Sequence, residues 1–158
     1  MAGLLLELAH RDSLTRDMAI EVIPGVPAFV AAAAVLGAPL MHDFAVISLS
    51  DLLTPWEKIE QRLRAAASAD FVTCLYNPKS RTRTAQIGKA VDLFLQYRDA
   101  ATPCAIVRNI SRPGQEVIRT SLQDLLDNEI DMLSLIIIGN GDTSFQDNWM
   151  ITARGYVL

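Results

Sequence analysis

The sequence predicts an α/β domain whose functional loops lie at the carboxyl ends of buried strands. Three observations carry this. Apolar runs at 44–49, 71–76, 103–107 and 133–138 alternate with stretches of helical periodicity, the pattern of strands covered by helices. Of 158 residues, 51% are apolar and 20% charged, the composition of a globular chain with a sizeable core. The runs end in polar loops, Ser48-Leu49-Ser50-Asp51 above all, and in open α/β sheets ligands sit at that end of the strands.

Taken in order, residues 4–16 read as an amphipathic helix, with Leu4, Leu5 and Leu8 on the apolar side and Glu7 and Arg11 on the other. Glu21-Val22-Ile23 reads as a short strand stopped by Pro24-Gly25. A helix starts near Pro27 and runs through Ala31-Ala32-Ala33-Ala34. It is small and apolar on every side, so it should be buried, and Gly37 closes it. Such small side chains serve either tight helix–sheet packing or close approach of a ligand.

The 44–49 run reads as a buried strand. After it, Thr54 as N-cap, Pro55 as first helical residue and Glu57 as capping-box acid open a helix over 56–67. The strand at 71–76 ends in Asn77-Pro78, and a helix follows over 84–97. Residues 103–107 form another strand and 116–119 a half-exposed one. A short helix capped by Thr120 or Ser121 runs to about 128, and 133–138 is the last strong strand. The tail from Trp149 to Tyr156 adds an edge strand. Gly37 to His42, where Gly and Pro cluster, marks the domain boundary.

The net charge of −4 argues against a general nucleic-acid or anionic-membrane binder. No apolar block reaches the roughly 20 residues of a membrane span, and no basic region precedes an apolar core as in a secretory signal. Cys74 and Cys104 each lie inside a strand-like run, which reads as two buried thiols in a reducing cytoplasm. His10 and His42 lack partners at ligand spacing, so no metal site is expected. Gly139-Asn140-Gly141 fails the dinucleotide fingerprint and reads as a turn.

Two features remain. Asp51 at a strand end is either a general acid or base or a loop-capping carboxylate. Lys79, Arg81 and Arg83 crowd a helix start, where cations oppose the helix dipole, and Arg108 and Arg112 stand at the end of a neighbouring strand. Such a rim suits a polyanionic ligand. The residues alone name no reaction.

Glu21-Val22-Ile23-Pro24-Gly25-Val26-Pro27-Ala28 resembles the strand–Pro-Gly–helix motif of the tetrapyrrole (corrin/porphyrin) methylases. His42 through Ser48, Ser50 and Asp51 to Trp56 resembles a subgroup that methylates C17 of the macrocycle. So do Leu75-Tyr76-Asn77-Pro78-Lys79-Ser80-Arg81 and Ile106-Val107-Arg108-Asn109. The resemblance covers nearly the whole chain. It implies two α/β domains with S-adenosylmethionine in the cleft between them, a homodimer, and a place in cobalamin biosynthesis. The implied reaction is C17 methylation, with ring contraction, of precorrin-3B or its cobalt form. The implied second domain, residues 41–158, has a mixed, mainly parallel five-stranded sheet flanked by helices. Residues 1–40 would be the end of the first domain.

By position, the resemblance places Pro27, Ala28, Tyr76, Asn77, Asn109 and Ile110 at the cofactor. Ser50, Asp51, Lys79, Arg81, Arg83 and Arg108 are the expected substrate-side residues, the cations pairing with the acetate and propionate arms of the macrocycle. Asp51 is the candidate for proton transfer during ring contraction. The family's Gly-Asp-Pro-Gly loop has no counterpart here, because Met1-Ala2-Gly3 resembles the residues just after it. The expectation is a truncated chain, inactive alone, that binds cofactor weakly or not at all and exposes apolar surface. The competing readings are a ribosomal RNA ribose methyltransferase of the same fold and a non-catalytic anion-binding module.

Overall fold

The computed structural model describes residues 2–11 and 18–156. Helix α1 spans Ala2–Arg11 and α2 spans Ala28–Leu36, followed by the short strand β1 at Gly37–Ala38. Next come β2 (Phe44–Ser48), α3 (Trp56–Ser68), β3 (Val72–Tyr76), α4 (Ala85–Phe94), β4 (Pro103–Arg108) and β5 (Glu116–Ser121). A 3-10 turn at Leu125–Asp127 leads to β6 (Ser134–Ile138), and β7 (Thr143–Gln146) and β8 (Trp149–Thr152) close the chain as a hairpin.

The main sheet has the order β2-β3-β6-β4-β5. Side chains alternate across it with a period of two. In β6, Ile136 and Ile138 face one layer and Leu135 and Ile137 the other. The first layer is α3 and α4, whose Ile59, Leu63, Val91 and Phe94 pack on Leu75, Ile106 and Ile136. Each fully buried side chain of this kind contributes about 1.5–3 kcal/mol. On the other face, α2 sets Ala32 and Leu36 against Val72, Cys74, Ala105 and Ile137. Alanine there buries little area but lets the helix lie close to the strands. Before the boundary expected near residue 40, α2 packs on this sheet and β1 pairs with β8.

The α/β class and the mixed five-stranded sheet agree with expectation. Its mainly parallel character does not. Only β2 and β3 pair in parallel, whereas β3–β6, β4–β6 and β4–β5 are antiparallel. The α3 and α4 crossovers do make β2, β3 and β4 point the same way. However, β5 returns from β4 by a hairpin, and β6, with no helix long enough to cross over before it, inserts antiparallel between β3 and β4.

Other corrections are local. Glu21-Val22-Ile23 forms no strand, since nothing pairs with it, and Val22 and Ile23 are exposed. The helix expected over 4–16 covers 2–11, and residues 12–16 lie outside the described residues. The 44–49 run is not buried throughout: β2 is an edge strand with Phe44 and Val46 exposed and Ile47 buried. Pro55, at φ −54° and ψ 141°, is itself the N-cap of α3, and no side chain caps that end. Thr54 and Glu57 therefore form no capping box. The short helix after β5 is a single 3-10 turn.

Candidate functional site

Strands β2, β3 and β4 end at the same edge of the sheet, where β6 begins. A cleft of about 520 Å³ opens there, within the range of small-molecule sites. Its walls include Ala28 and Ala31 of α2, Tyr76 and Asn77 after β3, Asn109 and Ile110 after β4, and Leu133 and Leu135 at β6. The start of α2 is held over β3 by one contact: the Tyr76 hydroxyl accepts the Phe29 backbone N–H at 3.1 Å.

The chain turns sharply at both strand ends. Asn77 (φ 51°), Asn109 (φ 52°) and Ser111 (φ 58°) occupy the left-handed region, which asparagine tolerates better than most residues. Each asparagine side chain supports its turn. Asn77 Nδ2 donates to Ser48 Oγ at 3.0 Å, and Asn109 Nδ2 donates to the Gly114 carbonyl at 3.3 Å. These turns border the cleft beside an apolar wall of alanine, isoleucine and leucine; the Asn109 N–H donates to the Leu133 carbonyl at 3.2 Å and the Ser111 N–H to Gln115 Oε1 at 2.8 Å. The apolar wall fits a ligand with a flat apolar ring. Five of the six expected cofactor residues, Ala28, Tyr76, Asn77, Asn109 and Ile110, thus border one cleft, and the sixth, Pro27, is the N-cap of α2 beside it.

The expected substrate-side residues divide. Lys79 and Arg81 line a neighbouring pocket of about 410 Å³, separated from the cleft by Met132 and Leu133, which border both. Among the described residues neither cation has an ion-pair partner. Arg83 instead turns inward. Its guanidinium donates to the Leu49 carbonyl at 3.1 Å, to the Asn77 carbonyl and to Met132 Sδ at 3.6 Å, and lies 3.8 Å from the Asp51 carboxylate. Asp51 also accepts Gln86 Nε2 at 2.6 Å. The Ser50 backbone N–H donates to Ser48 Oγ at 3.2 Å.

Arg108 is held by Asp131 at 2.8 Å and Glu116 at 3.6 Å. The hydrogen bond to Asp131 raises its pKa further above the ordinary arginine value. Burial alone would push the Asp131 carboxyl up, but the Leu133 backbone N–H, the Ser134 hydroxyl and Arg108 outweigh it and hold the group below its usual value. Asp131 thereby fixes the Met132–Leu133 rim. Sequence reasoning missed this rim and the Tyr76–Phe29 contact. The visible signal for the rim was two large apolar residues directly before a strand, both about half exposed.

The chain matches the Tetrapyrrole (Corrin/Porphyrin) Methylases over residues 2–126. It is 51% identical, over its full length, to the probable cobalt-factor III C(17)-methyltransferase of Salmonella typhimurium, of which it covers 65%. It is 49% identical to the cobalt-factor III methyltransferase of Priestia megaterium, covering 99% of this chain and 29% of that one. In structure it aligns with the crystal structure of the methyltransferase CobJ at a TM-score of 0.91 and 34% identity, over 97% of this chain and 64% of the other. The chain therefore spans less than two thirds of the length of these relatives. A match of this extent, together with a cleft at the strand ends where the motif residues gather, makes the chain a member of the tetrapyrrole (corrin/porphyrin) methylase family.

Proposed function

We propose that this chain carries the cleft of an S-adenosylmethionine-dependent C-methyltransferase of cobalamin biosynthesis, acting at C17 of precorrin-3B or its cobalt form. The observation that carries the reading is the convergence of Ala28, Tyr76, Asn77, Asn109 and Ile110 on one cleft. The likeness to relatives named for cobalt-factor III methylation supports the substrate class. On this reading residues 1–40 close a first domain, residues 41–158 form the second, and two copies pair as a homodimer.

When bound, S-adenosylmethionine supplies an electrophilic methyl group on a sulfonium. The chain's part is to hold, orient and exclude water. Ala28 lets a ligand approach the start of α2 closely. The turns at Asn77 and Asn109 shape the strand-end side of the cleft, and Ile110 and Leu135 form a dry wall. In the adjoining pocket Lys79 and Arg81 pair with the acidic arms of a tetrapyrrole, for which two unpaired cations beside an apolar surface are suited. Ser50, Arg83 and Arg108 stand behind them, positioned by their contacts. Asp51, on the loop after β2, is the group proposed to move a proton during ring contraction.

The test is to fuse to this chain the part of the Salmonella relative that it does not cover. The fusion is then assayed for transfer of labelled methyl from S-adenosylmethionine to cobalt-factor III. Transfer that disappears in an Ala28→Trp variant of unchanged circular dichroism, whose larger side chain would crowd the cleft, is the expected result. A folded fusion that transfers nothing contradicts the proposal.

A further inference from the structure

The Arg83 side chain joins the Asp51 loop to the cleft wall. Its side chain is 10% exposed, and its fork meets three segments at once. One is the loop after β2, through the Leu49 carbonyl and the Asp51 carboxylate. The second is the left-handed turn after β3, through the Asn77 carbonyl. The third is the approach to β6, through Met132 Sδ. Asn77 and Met132 border the cleft, whereas Asp51 does not.

A guanidinium suits this place. It is planar, keeps its charge, and offers several donors in fixed directions, so one group orients several acceptors. A lysine ammonium is a compact point charge on a flexible stem and cannot span the same set. Around it, Asp51 is held from a second side by Gln86, and Asn77 by Ser48, so two of the groups the fork meets are already restrained.

We infer that Arg83 is a positioning residue that couples the cleft to Asp51. Displacing the Asn77 carbonyl or Met132 on the cleft side shifts the fork, and the fork carries the shift to the Asp51 carboxylate. The coupling runs in both directions, as linkage requires. In the proposed enzyme this makes the orientation of the candidate proton carrier depend on whether the cleft is filled. The inference rests on that reading for its catalytic meaning, but the coupling itself is a property of the folded chain.

The experiment uses methyl-labelled methionine and backbone-labelled chain in solution. Asp51→Asn is introduced into the wild-type chain and into Arg83→Lys, with Arg83→Gln as a second background should the lysine variant unfold. The Met132 methyl and Asn77 amide resonances should move in the wild-type background and stay unmoved in the Arg83 variants. Equal movement in both backgrounds, or none in either, overturns the coupling. In parallel, S-adenosylhomocysteine is titrated into the wild type, Arg83→Lys and the exposed-surface control Lys58→Gln. A roughly tenfold weakening confined to Arg83→Lys is expected, and equal affinity in all three overturns the effect on the cleft. If no form binds, the coupling is decided by the Met132 and Asn77 resonances alone, and the cofactor reading by the fusion.

Discussion

At each end of the main sheet an arginine joins several segments, and the two ends differ in what surrounds it. Where β3 and β4 begin, Arg98 is 3% exposed. It donates to the carbonyls of Gly139 (2.7 Å), Phe71 (3.0 Å) and Ala66 (3.4 Å) and pairs with Asp70 at 2.8 Å. Beside it a second buried network closes the edge. Thr143 meets Asn140 at 3.0 Å and Thr152 at 2.8 Å, and Thr152 donates to the Pro39 carbonyl at 2.7 Å. Burial pulls the Arg98 pKa down, and the nearby Asp70 pulls it back up. At the opposite end Arg83 joins as many segments, yet the turns after β3 and β4 part into a cleft. The buried network holds the sheet together, although it too borders a hollow of about 420 Å³, lined by Asp70, Arg98, Asn140 and Thr143. An arginine that braces loops beside an open cleft leaves room for a ligand.

The sharpest way to break this comparison is to remove each arginine. Arg98→Ala leaves the Asp70 carboxylate and several carbonyls without their partner and should cost about 3–5 kcal/mol, read by urea unfolding. Arg83→Ala should cost less, about 1.5–3 kcal/mol, since it removes charged hydrogen bonds nearer to solvent. Equal losses would erase the distinction. Next in size is Gly139→Ala at the closed end. A Cβ there would meet Thr143 Cβ at 2.7 Å and the Pro103 carbonyl at 2.8 Å, so overpacking of about 1–3 kcal/mol is expected. An unchanged melting temperature would show that this end is looser than its contacts imply.

The thiols sharpen the picture of the core between the two ends. Burial pushes both Cys74 and Cys104 up to about 12, from an ordinary value of 9.0. The folded chain keeps these protons where the unfolded chain has lost them. Stability should therefore fall as pH rises from about 9 towards 12, by about 1.4 kcal/mol per unit and per thiol. Cys104→Ala should flatten that fall in unfolding curves recorded across this range, and an unaltered slope would argue against the burial. The smallest effect belongs to the open end. Asn109→Gly relieves a left-handed residue but loses the bond to Gly114, for a net change within about 1 kcal/mol, whereas Asn109→Val should lose about 1–2 kcal/mol more.

Much of this was legible in the sequence. The apolar runs located β3, β4 and β6, and the motif around Val26-Pro27-Ala28, with Tyr76-Asn77 and Asn109-Ile110, anticipated the residues that border the cleft. Strand order was not legible, because pairing β6 between β3 and β4 is a long-range choice and its apolar residues would suit either direction. The edge position of β2 was hidden for the same reason: Phe44 and Val46 look like core, yet both stay exposed although the Phe44 ring meets Phe29. Nor does sequence tell an inward cation from an outward one. Arg81 and Arg83 stand two residues apart, and only the second meets Leu49, Asn77 and Asp51. Arg98 carried no signal at all, because its partners come from α3, β6 and the turn at Asp70.

The most direct test of the account is a titration of S-adenosylhomocysteine into the labelled chain, followed by amide resonances, which detect weak as well as tight binding. Saturable shifts centred on Ala28, Tyr76, Asn77, Asn109 and Ile110, with the Arg98 end unmoved, are the predicted result. Shifts that centre elsewhere, or none at millimolar ligand even in the fusion with the remaining part of the Salmonella relative, would contradict the claim that the open end of the sheet is the cofactor site.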